Sequence, residues 1–336
     1  MNFGAVIVNY NCAPPSLSAA LSVLGDGPDT RIVIVDNAST DGSLDYLKSV
    51  VRGQAQHECS APLGAVPAPR FAEVSKAAVR FFAEGEIKTL DAQISIIAAG
   101  KNDGFAAGCN IGIRFLRETA DPAYYLLLNP DALIGVGALR AFTEKLADNS
   151  AGLCGASVFR HEDPNCVQAL GGAYLNAFTL LGKNIAAGST MDGALSCAEV
   201  EARLSYPLGA AMAFRKDYLD IAGYLDERYF LYYEEADWAL RGGPSRRPVW
   251  APSPIVYHRH GIAAGSRIGN GWRSPLSDYH MARSRMLFAL KWYPLTAPLL
   301  LVGGAMQAAR RLLRGHWRQA GAVMSGSLPG ASKSSG

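Results

Sequence analysis

Short apolar runs alternate with amphipathic stretches through the first half of the chain. Residues 3–8 (FGAVIV) and 31–35 (RIVIV) are β-branched runs of the kind buried in a parallel sheet. Residues 16–24 lie between them, and 43–51 follow; both have helical spacing. This β-α-β-α order predicts a doubly wound α/β sheet with helices on both faces. Residues 94–98 and 124–128 are read as a third and a fourth strand, with a helix over 109–118 between them. A helix over 137–147 and a strand over 153–159 follow. Residues 53–70, rich in Ala, Pro and Gly, read as a loop or insertion, and 71–84 as a helix.

The second half is less regular. Residues 161–201 contain Gly171, Gly172, Gly182, Gly188 and Gly193, which predicts an irregular lobe. Residues 205–214 are expected to return to the sheet, 234–241 to form a short helix and 249–257 to be extended. Residues 277–292 and 295–314 read as C-terminal helices, and 325–336 as a disordered Ser/Gly tail.

Composition adds two constraints. With 336 residues, 49% hydrophobic and 18% charged, the chain can bury a large core as one large domain or two smaller ones. The net charge of +3 hides an asymmetry: from Arg241 onward there are fourteen Lys or Arg and one acid, Asp278. An acidic body with a basic end implies an anionic partner there: membrane phospholipid, nucleic acid or a phosphorylated substrate. The six cysteines form no C-x-x-C pair, so buried or free thiols in a reducing cytosol are expected. The first residues lack the basic and long apolar regions of a signal peptide.

Ligands of open α/β sheets bind beyond the carboxyl ends of the strands. Those ends here are Asn9-Tyr10-Asn11, the run from Asp36 to Gly42 (DNASTDG) and Asn129-Pro130-Asp131. No G-x-G-x-x-G follows the first strand, so a dinucleotide-dependent dehydrogenase loses its main support. Asp41 is the better helix cap, which leaves Asp36 freer to accept the imide N–H of uracil or thymine. Residues 102–110 (NDGFAAGCN) place Gly104 and Gly108 where backbone can approach a ligand, or where a turn simply needs them. Asp131, just past a buried strand, is placed to hold a divalent metal carrying a diphosphate, or to cap a helix. The densest cluster is 229–241 (YFLYYEEADWALR), with Glu234, Glu235 and Asp237 within four residues. Adjacent carboxylates raise one another's pKa, as a general base requires; a solvated helix N-terminus is the alternative. Asp237 and Arg241 are spaced to pair. His258 and His260 are candidate metal ligands or phosphate contacts.

In this order the motifs resemble an inverting family 2 glycosyltransferase of GT-A fold, in its rhamnosyltransferase-like branch. The likeness rests on VIVNYN (6–11), VDNASTDGS (35–43), NDGFAAGCNIG (102–112), LLLNPDA (126–132), QALGG (168–172), GAAMAFRK (209–216), YLDERYFLYYEEADWALR (224–241) and VYHRHG (256–261). It implies a mainly parallel mixed sheet flanked by helices over residues 1–265, interrupted by an insertion at 53–90. A basic helical extension occupies 266–336. It places Val8, Tyr10 and Asp36 at the nucleotide base, and Asn102, Gly104, Asn110, Asn129, Gly209 and Ala210 along the nucleotide-sugar pocket. Asp131 and His258 would hold Mg²⁺ or Mn²⁺, with Asn129 standing where the family's D-x-D has its first Asp. Asp226, Glu227 and Asp237 fall on the acceptor side. Glu235 occupies the place of the catalytic base, usually Asp, with Glu234 as runner-up. The implied reaction moves a sugar, rhamnose from dTDP-rhamnose by the branch likeness, to a glycan or polyprenyl-diphosphate-linked acceptor in cell-surface polysaccharide synthesis. A catalytically idle domain that binds nucleotide-sugar or glycan is the alternative.

Residues 292–309 carry no charge, and Lys291, Arg310, Arg311, Arg314 and Arg318 flank them. Two prolines and a Gly-Gly pair make this a marginal membrane span. The reading is a helix lying in an anionic membrane surface, anchored by Trp292, Tyr293 and Trp317, against a helix packed on the catalytic domain. A cytoplasmic chain, peripheral on the inner face of the membrane, follows from it. No motif supports nucleic-acid recognition.

Overall fold

Parallel pairing of the β-branched runs builds the centre of the molecule. The computed structural model describes residues 2–85, 92–191, 195–259 and 273–332, apart from the side chains of Lys76 and Pro254. In chain order the first elements are β1 (Phe3–Asn9), α1 (Ala13–Asp26), β2 (Arg31–Asp36), α2 (Ser43–Val51), β3 (Val79–Ala83), β4 (Ile94–Ala98), α3 (Phe105–Thr119) and β5 (Tyr124–Leu128). There follow β6 (Ala132–Ile134), α4 (Ala138–Leu146), β7 (Ala151–Arg160), β8 (Asp163–Leu170), β9 (Gly172–Leu175), β10 (Gly182–Asn184) and α5 (Cys197–Glu201). The last are β11 (Tyr206–Pro207), β12 (Ala211–Arg215), α6 (Tyr218–Ala222), α7 (Glu234–Gly242), β13 (Arg247–His258), α8 (Pro275–Trp292), α9 (Ala297–Leu312) and α10 (Trp317–Ser327).

The main sheet has the order β3-β4-β2-β1-β5-β12-β7-β13-β6, with β8 beside β7; β10-β9-β11 form a small second sheet. The β3 to β5 half is all parallel, and β12 reverses the direction. Mixed topology with helices on both faces is therefore the architecture, as expected. Leu17, Leu21, Leu47 and Phe142 pack one face; Ile113, Leu116, Tyr218 and Trp238 pack the other. β6 begins only a few residues after β5 ends, yet it pairs with β13 at the far end of the strand order. The sheet thus curls back on itself, and Asn129-Pro130-Asp131 is the corner.

Three sequence expectations change. Residues 71–84 hold a short 3-10 turn (Val74–Lys76) and strand β3 rather than a helix. Val79 to Ala83 run in register with Ile94 to Ala98, Phe81 packs on the core and Phe82 lies against Phe115. That tertiary pairing overrides helix-forming residues on either side. Residues 205–214 divide, with β11 in the small sheet and only β12 in the main one. The start of the expected disordered tail is helical: α10 runs to Ser327, with Ala320, Val323 and Ser327 buried. The expected domain boundary at 265/266 and part of the 53–90 insertion lie outside the described residues. Within that insertion, the His57 ring bridges Ser18 of α1 (3.0 Å) and Tyr46 of α2 (2.8 Å).

Candidate active site

The loops after β1 and β2 are laced together by side chains. Buried Asn9 donates to Asp36 Oδ1 (2.6 Å) and to Ser39 Oγ (3.1 Å), and accepts from Ser16 Oγ (2.8 Å). Ser39 donates its hydroxyl to Asp36 Oδ1 (2.6 Å) and its N–H to Oδ2 (3.2 Å). Asp36 is therefore not the free carboxylate expected from Asp41 capping α2: it is buried and already accepts three hydrogen bonds. Tyr10, half-buried, stands beside this knot. Asn37 Nδ2 extends the lacing to Asn102 Oδ1 (2.8 Å) and Gly104 O (3.2 Å) at the start of α3.

Gly104 is needed for two reasons. Its φ of +96° lies in the region that favours glycine, and a Cβ there would overlap the Phe230 backbone. Phe105 N–H donates to Phe230 O (2.8 Å), so the aromatic run 229–233 rests on the N-terminus of α3. Val8 lies below, where Gly108 lets α3 approach β1. Asn110 is a correction. It is fully buried, exchanges hydrogen bonds with the Leu225 backbone (2.9 and 3.0 Å), and donates to Glu227 (2.8 Å). Its polar atoms clamp the 225–227 loop and are not offered to a sugar nucleotide.

At the corner, three side chains converge. His258 Nε2 lies 3.2 Å from Asp131 Oδ1 and 3.3 Å from Asn129 Nδ2. His258 Nδ1 lies 3.0 Å from Gln168 Oε1. An Nδ1–H donated to Gln168 fixes the tautomer and leaves the Nε2 lone pair facing Asp131, the arrangement of a metal-ligating histidine. A carboxylate and an imidazole fit a divalent cation. Among the described residues no group of three or more His, Cys, Asp or Glu forms a metal cage. Gln168 has no role in the sequence reading, although the QALGG motif contains it. Asp131 also borders a cavity of about 270 Å³ lined by Pro14, Tyr46, His57, His161 and Arg259. His260 lies outside the described residues.

The acid pair is one strand away. Asn129 N–H donates to Ala210 O (3.0 Å), and Gly209 lies directly against the Glu235 carboxylate, where a Cβ would overlap Oε1. A strained turn presents the pair: Tyr232 (φ +69°) and Tyr233 (φ +70°) both take left-handed backbone, which costs non-glycine residues energy. Neighbouring elements hold that turn. Tyr233 donates to Leu180 O (2.6 Å), Tyr232 bonds Ser277 (2.6 Å) and Ser284 donates to Leu231 O (2.8 Å). Glu234 is buried, and its Oε2 has no hydrogen-bond partner. Burial, and then the charge of Glu235, push Glu234 well above the usual carboxylate range. Burial pushes Glu235 up to about 7. The pair is a desolvated acid site rather than a solvated helix cap.

The acceptor-side assignment of Asp237 is corrected. Asp237 is fully buried and taken by Arg241 (2.9 Å), Lys291 (2.6 Å) and Trp292 Nε1 (2.8 Å). Its pairing with Arg241 is as expected; an acceptor cannot reach it. Asp226 is also engaged: burial works against its charge, yet hydrogen bonds from Arg228 and Lys291 hold it well below the usual range. Glu227, exposed, accepts from Arg114 (3.2 Å) as well as Asn110. Lys291 and Trp292 thus serve as internal struts, so Trp292 is not a free membrane anchor.

This curled mixed sheet, with acids at its strand ends, has the fold of GT-A glycosyltransferases. The chain is similar to the Pyrobaculum calidifontis mannosyltransferase PcManGT, solved with GDP-Man and Mn²⁺ (12% identity, TM-score 0.52, 97% of this chain and 86% of that one). It is also similar to Staphylococcus aureus TarS 1–349 with UDP-GlcNAc (12%, TM-score 0.50, 98% and 82%). GalNAc-T7 with UDP, GalNAc and Mn²⁺ is a third such structure (13%, TM-score 0.51, 84% and 47%). No family model and no curated protein matches the sequence.

Proposed function

We propose that the chain is a metal-dependent inverting glycosyltransferase of family 2, using a nucleotide-sugar donor, with dTDP-rhamnose the first choice. The observation that carries this is the raised Glu235 carboxyl against Gly209, one strand from the Asp131–His258 pair. Glu235 takes the proton from an acceptor hydroxyl. That oxygen attacks the anomeric carbon from the opposite side to the leaving group, inverting it, and the nucleoside diphosphate departs toward Asn129–Asp131. Asp131 and His258 would hold Mg²⁺ or Mn²⁺ there, which would supply neutralisation of the leaving diphosphate. The solved GT-A structures with GDP-Man and Mn²⁺, and with UDP, GalNAc and Mn²⁺, support this reading. The test is nucleoside diphosphate release from dTDP-rhamnose, UDP-hexoses, UDP-galactofuranose and GDP-mannose, with and without EDTA. Metal-dependent release from one donor is expected. Donor binding without turnover across a panel of glycan and lipid-linked acceptors would favour the idle binding domain.

The acceptor is proposed to be a glycan or lipid-linked glycan at the inner face of the cytoplasmic membrane. Among the described residues no helix is long and apolar enough to cross a membrane. Instead α9 and its flanks expose a stripe of Leu295, Leu299, Val302, Met306 and Leu313, with Leu295 and Leu313 93% and 90% exposed. Residues 295–332 hold four arginines and no acid, and Arg318 lies over the exposed Trp317 ring. An apolar stripe edged by cations suits an anionic bilayer surface. The chain is expected to sediment with vesicles containing phosphatidylglycerol, and not with pure phosphatidylcholine. Val302→Glu with Met306→Glu should abolish sedimentation; binding unchanged in that variant would remove this face from the proposal.

A further inference from the structure

One face of α8 follows the catalytic turn along its length. Ser277, Ser284 and Lys291 recur at two-turn spacing, so they share that face. Ser277 bonds the Tyr232 hydroxyl (2.6 Å), and Ser284 donates to Leu231 O (2.8 Å). Lys291 does more than either. Its Nζ lies 2.9 Å from Asp226 Oδ2 and 2.6 Å from Asp237 Oδ1. One ammonium therefore joins both ends of the segment that carries the acid pair.

That segment needs closing. Between its ends stand Tyr232 and Tyr233, both in left-handed backbone, and then Glu234 and Glu235. Such backbone persists only where the surroundings over-determine it. The other donors to the two end carboxylates do not span it. Arg228 holds Asp226 (2.6 Å), while Arg241 (2.9 Å) and Trp292 Nε1 (2.8 Å) hold Asp237. Among the described residues only Lys291 bonds both carboxylates. Asp237 is fully buried, so its pair with Lys291 is little screened by water.

We propose that Lys291 is a positioning residue for the transfer: it clasps Asp226 to Asp237 and so holds the Tyr232–Tyr233 turn in the conformation that presents Glu235 to the acceptor. This rests on the reading of Glu235 as the base and deepens it. Asp226 and Asp237, placed on the acceptor side by the sequence, act instead through this clasp. Helix α8 is then part of the catalytic unit.

Two readouts on the full chain test it: turnover, and the Glu235 carboxyl followed by carbon-13 NMR of labelled glutamate, assigned with Glu235→Gln. Lys291→Met should lower kcat about 10–100-fold, the cost of a displaced catalytic group, with donor KM within about twofold. The Glu235 carboxyl, raised to about 7 in the wild type, should fall toward the ordinary carboxylate range as the turn relaxes and water enters. The direction is diagnostic, because loss of an ammonium can by itself only raise a neighbouring carboxyl. Lys291→Arg, whose fork can span both carboxylates, should restore most of both. Arg241→Met removes a different partner of Asp237 and should leave the Glu235 titration in place. Unchanged kcat or an unmoved Glu235 in Lys291→Met overturns the proposal. An equal fall in Arg241→Met also overturns it, by making any support of α7 sufficient. Parallel loss of donor KM would make Lys291 structural. If Lys291→Met does not fold, Asp226→Asn opens the clasp from the other end, leaves Asp237 its partners, and must give the same fall. The titration is read without turnover, so silence of the donor panel would count against the transferase reading alone.

Discussion

Glu235→Gln is expected to lower kcat by about 10²–10⁴-fold, the usual worth of a general base, with little change in donor KM. The amide keeps the size of the carboxyl beside Gly209 and removes only its basicity. In the wild type, turnover should rise with pH to a plateau above about 7, following the raised carboxyl. The variant should lose that limb. Stability must move the other way. Between the ordinary Glu range and pH about 7 the folded chain binds more protons than the unfolded one, so wild-type stability falls as pH rises across that window. Glu235→Gln should therefore match the wild-type Tm near pH 4.5 and exceed it at pH 8. Normal kcat in a folded variant would remove Glu235 from the base position, and Glu234→Gln would be tested next. Burial raises Glu235, whereas the charge of Glu235 adds to the rise at Glu234, so Glu234 is still neutral when Glu235 ionises and Glu234→Gln should leave the limb at about 7 in place.

Much of the parallel half was readable because a buried strand must be apolar on both faces. β1, β2, β4 and β5 are such runs, and the polar residues that end them mark the cleft. β3 was not readable: Ala-Ala-Val-Arg-Phe-Phe-Ala-Glu suits a helix locally, and only its pairing with β4 makes it a strand. The chemistry-bearing residue types were visible too, but their freedom was not. Asn110 meets Leu225 115 positions later, and Asp237 meets Trp292 55 positions later. Such partners turn two candidate ligand contacts into struts, and no local pattern announces them. Gln168 was missed for the same reason: its role exists only because β13 returns His258 to its side. The strained Tyr232-Tyr233 turn was equally hidden, since α8 and Leu180 hold it from outside the motif.

Asp131→Ala is expected to reduce turnover by about 10²–10⁴-fold, equivalent to losing several kcal/mol of leaving-group stabilisation. Mn²⁺ binding, followed by electron paramagnetic resonance in the presence of dTDP, should fall with it. The geometry makes a graded series. Asp131→Ala leaves the imidazole of His258 alone, and His258→Ala leaves the carboxylate alone. Gln168→Leu keeps both ligands but frees the ring to change tautomer, for an expected loss of about 10–100-fold in metal affinity. Gln168→Glu retains an acceptor for Nδ1–H and should recover most of that loss, which a packing defect would not. Lost turnover with intact Mn²⁺ binding in Asp131→Ala would mean that the metal sits elsewhere. Normal turnover would mean that the leaving diphosphate is neutralised by the chain itself. Arg259, exposed at the same corner with its N–H on Asp131 O (2.9 Å), is then the cation in reach.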